Sequence, residues 1–120
     1  MVSPEKQGLE AKSVSAGEKH SCILTTDGQL ACWGENGDNQ ATPPTGLYQS
    51  MRVGDKFGCA TDATTAAISC WGKNDKGQTS SPLGLAFEVF DTGKKHVCGI
   101  SSEEIHCWGE DNEGQSTPGF

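Results

Sequence analysis

Six cysteines, three histidines and a scatter of loop carboxylates are the side chains of this 120-residue sequence best equipped for chemistry. The cysteines fall into three pairs, Cys22 with Cys32, Cys59 with Cys70 and Cys98 with Cys107, with nine, ten and eight residues between the members. Structural zinc sites favour ligand pairs with roughly two to four residues between them. Disulfides are therefore the reading preferred over a metal and over buried free thiols, and no metal or cofactor is expected. Asp38, Asn39, Asp75, Asp111 and Glu113 sit in loops that superficially resemble calcium loops, but they lack the alternation and the closing bidentate glutamate. They read as solvated turn residues. Two of the histidines, His20 and His96, each stand three residues after a glycine, which suits packing better than proton transfer. No nucleophile elbow, standout carboxylate pair or phosphate-cradling glycine motif is present, so no catalytic residue is assigned and the chain is read as non-enzymatic.

Two sets of residues could bind rather than react. Trp33, Trp71 and Trp108 each follow a cysteine directly, and this fixed placement argues for structural packing rather than a contact surface. The tripeptides Glu18-Lys19-His20, Asp55-Lys56-Phe57 and Lys94-Lys95-His96 are different in kind, because they occupy equivalent loops and would line one face of a ring or arc. They would present a lysine beside an aromatic ring, giving Lys19, His20, Lys56, Phe57, Lys95 and His96 as the candidate binding residues, against the plainer alternative of solvated loops.

What positions all of these is a repeat. The stretch from Cys22 to Gln40 returns twice, so that Cys22, Cys32, Trp33, Gly34 and Gln40 reappear as Cys59, Cys70, Trp71, Gly72 and Gln78, then as Cys98, Cys107, Trp108, Gly109 and Gln115. The tryptophans are 38 and 37 residues apart, a period that marks a repeat architecture. Residues 1–7 read as a flexible, polar N-terminus and 8–120 as one repeat domain. Its units run over 8–45, 46–83 and 84–118, and Gly119-Phe120 resembles the opening of a further unit. Each unit opens on Gly-Leu and passes through a short β-prone segment ending in glycine, at 13–17, 51–54 and 89–93. It closes in an Asn/Asp/Gly loop followed by proline. No window shows sustained apolar positions at helical spacing, so the expected fold is all-β with little or no helix.

The paired cysteines flank a turn. Opposed residues of an antiparallel hairpin have a constant sum of positions, and only opposed residues on one face approach closely enough to bridge. For Cys22 and Cys32 this demands a three-residue loop, Thr26-Asp27-Gly28, with Gly28 left-handed. For Cys59 and Cys70 an even loop is needed, either Thr64-Thr65 or Ala63 to Ala66. For Cys98 and Cys107 it is Ser102-Glu103 or Ser101 to Glu104. Alternation then places His20, Cys22, Leu24, Leu30 and Cys32 on one face of the first hairpin and Ser21, Ile23, Ala31 and Trp33 on the other. Both faces carry groups suited to burial, as in a sheet sandwiched between neighbours.

Composition limits the rest. Leu, Ile, Val and Phe together number 19, about 16% of the chain, too few to stabilise it through apolar burial alone. Three disulfides closing loops of about ten residues would each add roughly 2.5–3 kcal/mol in the chain-entropy model. They also imply an oxidising, extracytoplasmic setting. The opening MVSPEKQG has no apolar core of a signal peptide, consistent with a mature or excised piece, and no run is long enough to span a membrane as a helix. A net charge of −7 with only one arginine and eight lysines gives no phosphate-binding footprint, so no nucleic-acid partner is expected.

The pattern Gly-x-x-His-x-Cys-x-Leu, then Asp-Gly-x-Leu-x-Cys-Trp-Gly-x-Asn and Gln, over residues 17–40, resembles the repeat of the regulator of chromosome condensation superfamily. The short period is similar to that of bacterial members such as the propeller-type β-lactamase inhibitor protein. The resemblance covers residues 8–118 and implies one four-stranded β-propeller blade per repeat, in a ring usually of seven. Phe57 in place of histidine, Asn39 in place of glycine and the missing Asp-Gly turn of the second hairpin depart from it, and three blades alone do not close a ring. The exchange-factor activity of particular members has no motif here. The expectation is an extracellular or cell-surface recognition or adhesion module, such as a fibre-tip or adhesin domain, meeting a surface glycan or protein through loops on one face. The alternative is an inhibitor-like or scaffold domain for one protein. Open sheet faces add the expectation of a homo-oligomer, a dimer ahead of a trimer.

Overall fold

The computed structural model describes residues 10–119. Nine strands form three separate antiparallel sheets: β1 (Ala11–Ala16), β2 (His20–Thr25) and β3 (Leu30–Gly34); β4 (Tyr48–Val53), β5 (Phe57–Asp62) and β6 (Ile68–Gly72); β7 (Val89–Thr92), β8 (His96–Ser101) and β9 (Glu104–Gly109). Each sheet is a meander with its strands in chain order. The three sheets succeed one another as the blades of a partial propeller. The first strands β1, β4 and β7 lie side by side, with the Val53 amide donating to Ser15 Oγ at 3.1 Å and Thr92 Oγ1 donating to the Val53 carbonyl at 2.7 Å.

The hairpin arithmetic holds in all three blades. Cys22 opposes Cys32, Cys59 opposes Cys70 and Cys98 opposes Cys107, and each pair is bridged. In the first blade the Thr25 amide donates to Gln29 and the Gly28 amide to Thr25, closing the three-residue loop with Gly28 at φ 91°. In the second the longer option is taken, because Asp62 pairs with Ala67 and leaves Ala63 to Ala66 as the loop. Here the Asp62 carboxylate accepts the amides of Thr64 and Thr65, replacing the absent Asp-Gly turn. In the third the shorter option is taken, since Ser101 pairs with Glu104 and both Ser102 and Glu103 have positive φ. A two-residue hairpin turn whose twist matches its strands requires that.

The expected fourth strand of each blade is absent among the described residues. After β3, β6 and β9 the chain turns at a glycine of positive φ, and the loop's amides are taken by its own side chains. Gln40 Oε1 accepts from Asp38 and Asn36 Oδ1 from Ala41. Gln78 and Asn74 do the same for Lys76 and Thr79, as do Gln115 and Asp111 for Glu113 and Ser116. Prolines follow, so little free backbone remains to form a ladder. The entry of the next unit touches the previous hairpin only briefly, through the Tyr48 amide on Gly28 and the Phe87 amide on Ala66. The expectations at Gly8, Leu9 and Phe120 lie outside the described residues.

Burial follows the two-faced pattern. The face of the first blade with Cys22, Leu24, Leu30 and Cys32 packs on Tyr48, Met51, Val53, Ala60 and Trp71 of the second. The opposite face of the second blade, with Phe57, Cys59, Ile68 and Cys70, packs on Leu85, Phe87, Phe90, Val97 and Trp108 of the third. At each junction the tryptophan indole reaches back to the preceding repeat: Trp71 Nε1 donates to the Gln40 carbonyl and Trp108 Nε1 to the Gln78 carbonyl, both at 3.0 Å. Gln40 and Gln78 are themselves buried. The fixed seven-residue spacing from Trp to Gln thus places a donor on one side of each blade and its matching acceptor on the other. Trp33 is only half-buried.

Candidate functional site

The three tripeptides begin after the glycine that follows each first strand, and backbone hydrogen bonds align them. The Glu18 amide donates to the Asp55 carbonyl at 3.1 Å, and the Asp55 amide to the Lys94 carbonyl at 2.9 Å. Within each blade the carbonyl of the loop lysine accepts from the residue after the third strand: Lys19 from Glu35, Lys56 from Lys73 and Lys95 from Glu110. Glu18-Lys19, Asp55-Lys56 and Lys94-Lys95 therefore form one continuous rim along the same end of all three blades.

The third member of each tripeptide departs from the expected presentation. His20 and Phe57 are buried, at 3% and 0% exposure, and His96 is half-buried. Each ring folds back over the glycine three residues earlier. A side chain at Gly17, Gly54 or Gly93 would collide with the ring of His20, Phe57 or His96, which is why the motif keeps glycine there. His20 and Phe57 are thus removed from the binding residues, and His96 is largely turned inward. Phenylalanine substitutes for histidine in the second copy because the site is a packing site. Neither ring nitrogen of His20 has a hydrogen-bond partner among the described residues, and desolvation lowers its pKa below the usual histidine value, with the nearby backbone of Asp55 and Phe57 opposing.

The lysines remain available. Lys19 is exposed and stands 4.0 Å from Glu35. Lys56 and Lys95 are half-buried at the mouth of a cleft of about 200 Å³ between the second and third blades, lined also by Glu18, Asp55, Lys73, Gln78 and Lys94. Lys73 lies 3.8 Å from Asp75. The Gln78 amide, which donates to Asp75, does most to hold that carboxyl below the ordinary range, with Lys73, Lys95 and Lys76 adding to it. Lys73, Glu18, Asp55 and Lys94 are not among the residues that the sequence alone singles out. Glu18, Asp55 and Lys94 were within the same tripeptides, and the signal for Lys73 was a lysine where the other copies have Glu35 and Glu110.

No group of three or more metal-ligating side chains occurs among the described residues. Among them, too, no helix is long and apolar enough to cross a membrane.

Residues 11–40 match the family described as Regulator of chromosome condensation (RCC1) repeat. The ectodomain of the Physcomitrella patens receptor kinase CR4 is similar at 29% identity and a TM-score of 0.76, over 88% of this chain and 31% of that one. The CRINKLY WD40 ectodomain of the Arabidopsis thaliana receptor kinase ACR4 is similar at 22% identity and a TM-score of 0.74, over 91% and 39%. Prp20p from Saccharomyces cerevisiae shares the fold at 16% identity and a TM-score of 0.71, over 98% and 36%. The chain spans between about a third and two-fifths of the length of these structures.

Proposed function

We propose that this chain, whose first blade matches the regulator of chromosome condensation repeat and whose three blades share the fold of propellers of that type, is a non-enzymatic recognition module that works outside the cytoplasm. It meets a surface glycan or protein through the rim of Glu18-Lys19, Asp55-Lys56 and Lys94-Lys95. The observation that carries this reading is the alignment of three equivalent lysine-bearing loops into one rim by inter-blade backbone hydrogen bonds, on sheets each held by a disulfide. The lysine repeats in all three loops while the residue before it changes from Glu18 and Asp55 to Lys94, and these pairs share one edge of a rigid scaffold, where binding surfaces are commonly carried. Two of the similar structures are receptor-kinase ectodomains, which supports an extracellular setting, as do the disulfides. A glycan array probed with the oxidised protein tests the reading: binding should follow one ligand class. A blank array together with capture of a single protein partner would favour the alternative, an inhibitor-like or scaffold domain.

Self-association belongs to the same proposal. Val14 is 68% exposed, whereas the equivalent Met51 and Phe90 are 4% and 5% exposed because a preceding blade covers them. On the third blade Ile100 and Ile105, equivalent to the packed Leu24 and Leu30, are 36% and 41% exposed. A second copy can bring these two faces together and pair Trp33 Nε1 with the Gln115 carbonyl, repeating the contact that the chain makes twice internally. Head-to-tail contacts of this kind favour closed rings, and two copies supply six blades. Sedimentation at micromolar concentration should show a dimer, or a trimer, that Trp33→Ala dissociates; a 12.6 kDa species alone would refute it.

A further inference from the structure

Repeats make departures conspicuous, because every position has two internal controls. The rim position held by Glu18 and Asp55 in the first two blades is Lys94 in the third. The position after the third strand, Glu35 and Glu110 in the outer blades, is Lys73 in the middle one. Both departures replace an acid with a base, and both fall in the cleft between blades two and three.

The consequence is a local inversion of charge in a chain of net charge −7. The cleft is lined by Lys56, Lys73, Lys94 and Lys95 against Glu18 and Asp55. The corresponding positions of the first junction hold Lys19 and Lys56 against Glu18, Asp55 and Glu35. Lys56 and Lys73 are neighbours, joined through the Lys73 amide and the Lys56 carbonyl, where the first blade has the opposite charges Lys19 and Glu35. Lys73 has Asp75 at 3.8 Å, whereas the half-buried Lys56 beside it has no carboxylate of its own among the described residues. Among the described residues Lys56, Lys94 and Lys95 form no ion pair, and the carboxylates of Glu18 and Asp55 accept no hydrogen bond.

We infer that this cleft binds an acidic sugar, with the sugar carboxylate held by Lys56, Lys73, Lys94 and Lys95 and its hydroxyls donating to Asp55 and Glu18. The inference rests on the recognition reading and names its ligand class. A carboxylate accepts several charge-assisted bonds from ammonium groups, while the flanking acids are good acceptors for hydroxyls. The same acids select against an acidic peptide or a polyphosphate chain, whose successive negative charges would meet Glu18 and Asp55 without hydroxyls to satisfy them. A cleft of about 200 Å³ suits a single sugar residue rather than an extended chain.

The test is calorimetric titration of the oxidised protein with oligosaccharides ending in galacturonate, glucuronate or sialate. Methyl esters of the same sugars and a tetra-glutamate peptide serve as controls. At least one acid sugar should bind, its methyl ester should not, and the peptide should bind far more weakly. Lys73→Glu and Lys94→Glu restore the residue type used in the other blades, so both variants should fold, Lys73→Glu losing only the partly exposed pair with Asp75. Each should weaken binding on the order of tenfold. Binding of the ester or the peptide as tightly as the acid sugar, unchanged binding by both variants, or silence across all three sugars would overturn the inference. Array binding of neutral glycans that neither variant alters would overturn it while leaving the recognition reading intact. A blank array would remove the glycan reading as well.

Discussion

Replacing Trp71 and Trp33 separately with alanine separates a blade junction from a free blade face. Trp71 is 8% exposed, packs in the core between blades one and two, and donates to the Gln40 carbonyl. Burying roughly 200 Å² of indole at about 25 cal/mol per Å² corresponds to about 5 kcal/mol, and large-to-small changes of this kind cost about 3–5 kcal/mol in practice. Losing the indole N–H also strands the Gln40 carbonyl, for which about 1–3 kcal/mol is the usual cost of an unsatisfied buried group. Trp71→Phe isolates that term, since it keeps a ring and removes the donor. Trp33 occupies the same position but is half-buried and has no such partner among the described residues, so Trp33→Ala should cost about 1–2 kcal/mol. Urea denaturation of the oxidised proteins, dilute enough to be monomeric, gives the numbers. Against a total stability of about 5–15 kcal/mol, Trp71→Ala should shift the midpoint severely and Trp33→Ala mildly. Equal costs for the two alanine variants, or a Trp71→Phe variant as stable as the parent, would refute the Trp-to-Gln junction as the main inter-blade fastening.

Other consequences follow from the buried histidine and the strained turn. His20 has a folded-state pKa below its ordinary 6.5, so the unfolded chain binds more protons as pH falls through that value; its contribution is present above about pH 6.5 and is lost on acidification. His20→Phe, copying Phe57, should flatten the stability profile between there and the carboxylate range, where Asp62, Asp75 and Asp111, all lowered from 3.8 by hydrogen bonds, take over. Thermal melts across that pH span check it, and an unchanged slope would contradict the burial argument. Ser102 and Glu103 are both at positive φ, a conformation costing roughly 1 kcal/mol or more for such residues. Converting the pair to Asn-Gly should raise stability by about 1 kcal/mol in the same urea assay, and no gain would mean the turn is relaxed as it stands.

Much of this architecture is legible in the sequence because a repeat supplies internal comparisons. The cysteine sums fix the opposed pairs and the permitted loop lengths without any coordinates, since a disulfide and a pleat together leave few registers. They do not decide between Thr64-Thr65 and the four-residue loop, which depends on Asp62 reaching the amides of Thr64 and Thr65. The fourth strand that the family resemblance implies does not form among the described residues, because Gln40, Gln78, Asn36 and Asn74 use the backbone amides locally. In sequence the tripeptides read as exposed loops, which puts His20 and Phe57 among the binding candidates. Only the close approach of each ring to Gly17 or Gly54 reveals that these rings point inward. Pairings between blades, such as Trp71 with Gln40, are invisible to spacing within one unit.

The most direct test of the account is the triple variant Lys19→Ala, Lys56→Ala and Lys95→Ala, compared with the parent on the same glycan array and in the same thermal melt. The account predicts a melting temperature nearly unchanged, because none of these side chains is in the core, together with loss of the array signal. Retained binding, or binding lost only along with the folded state, would contradict a recognition surface on the lysine rim.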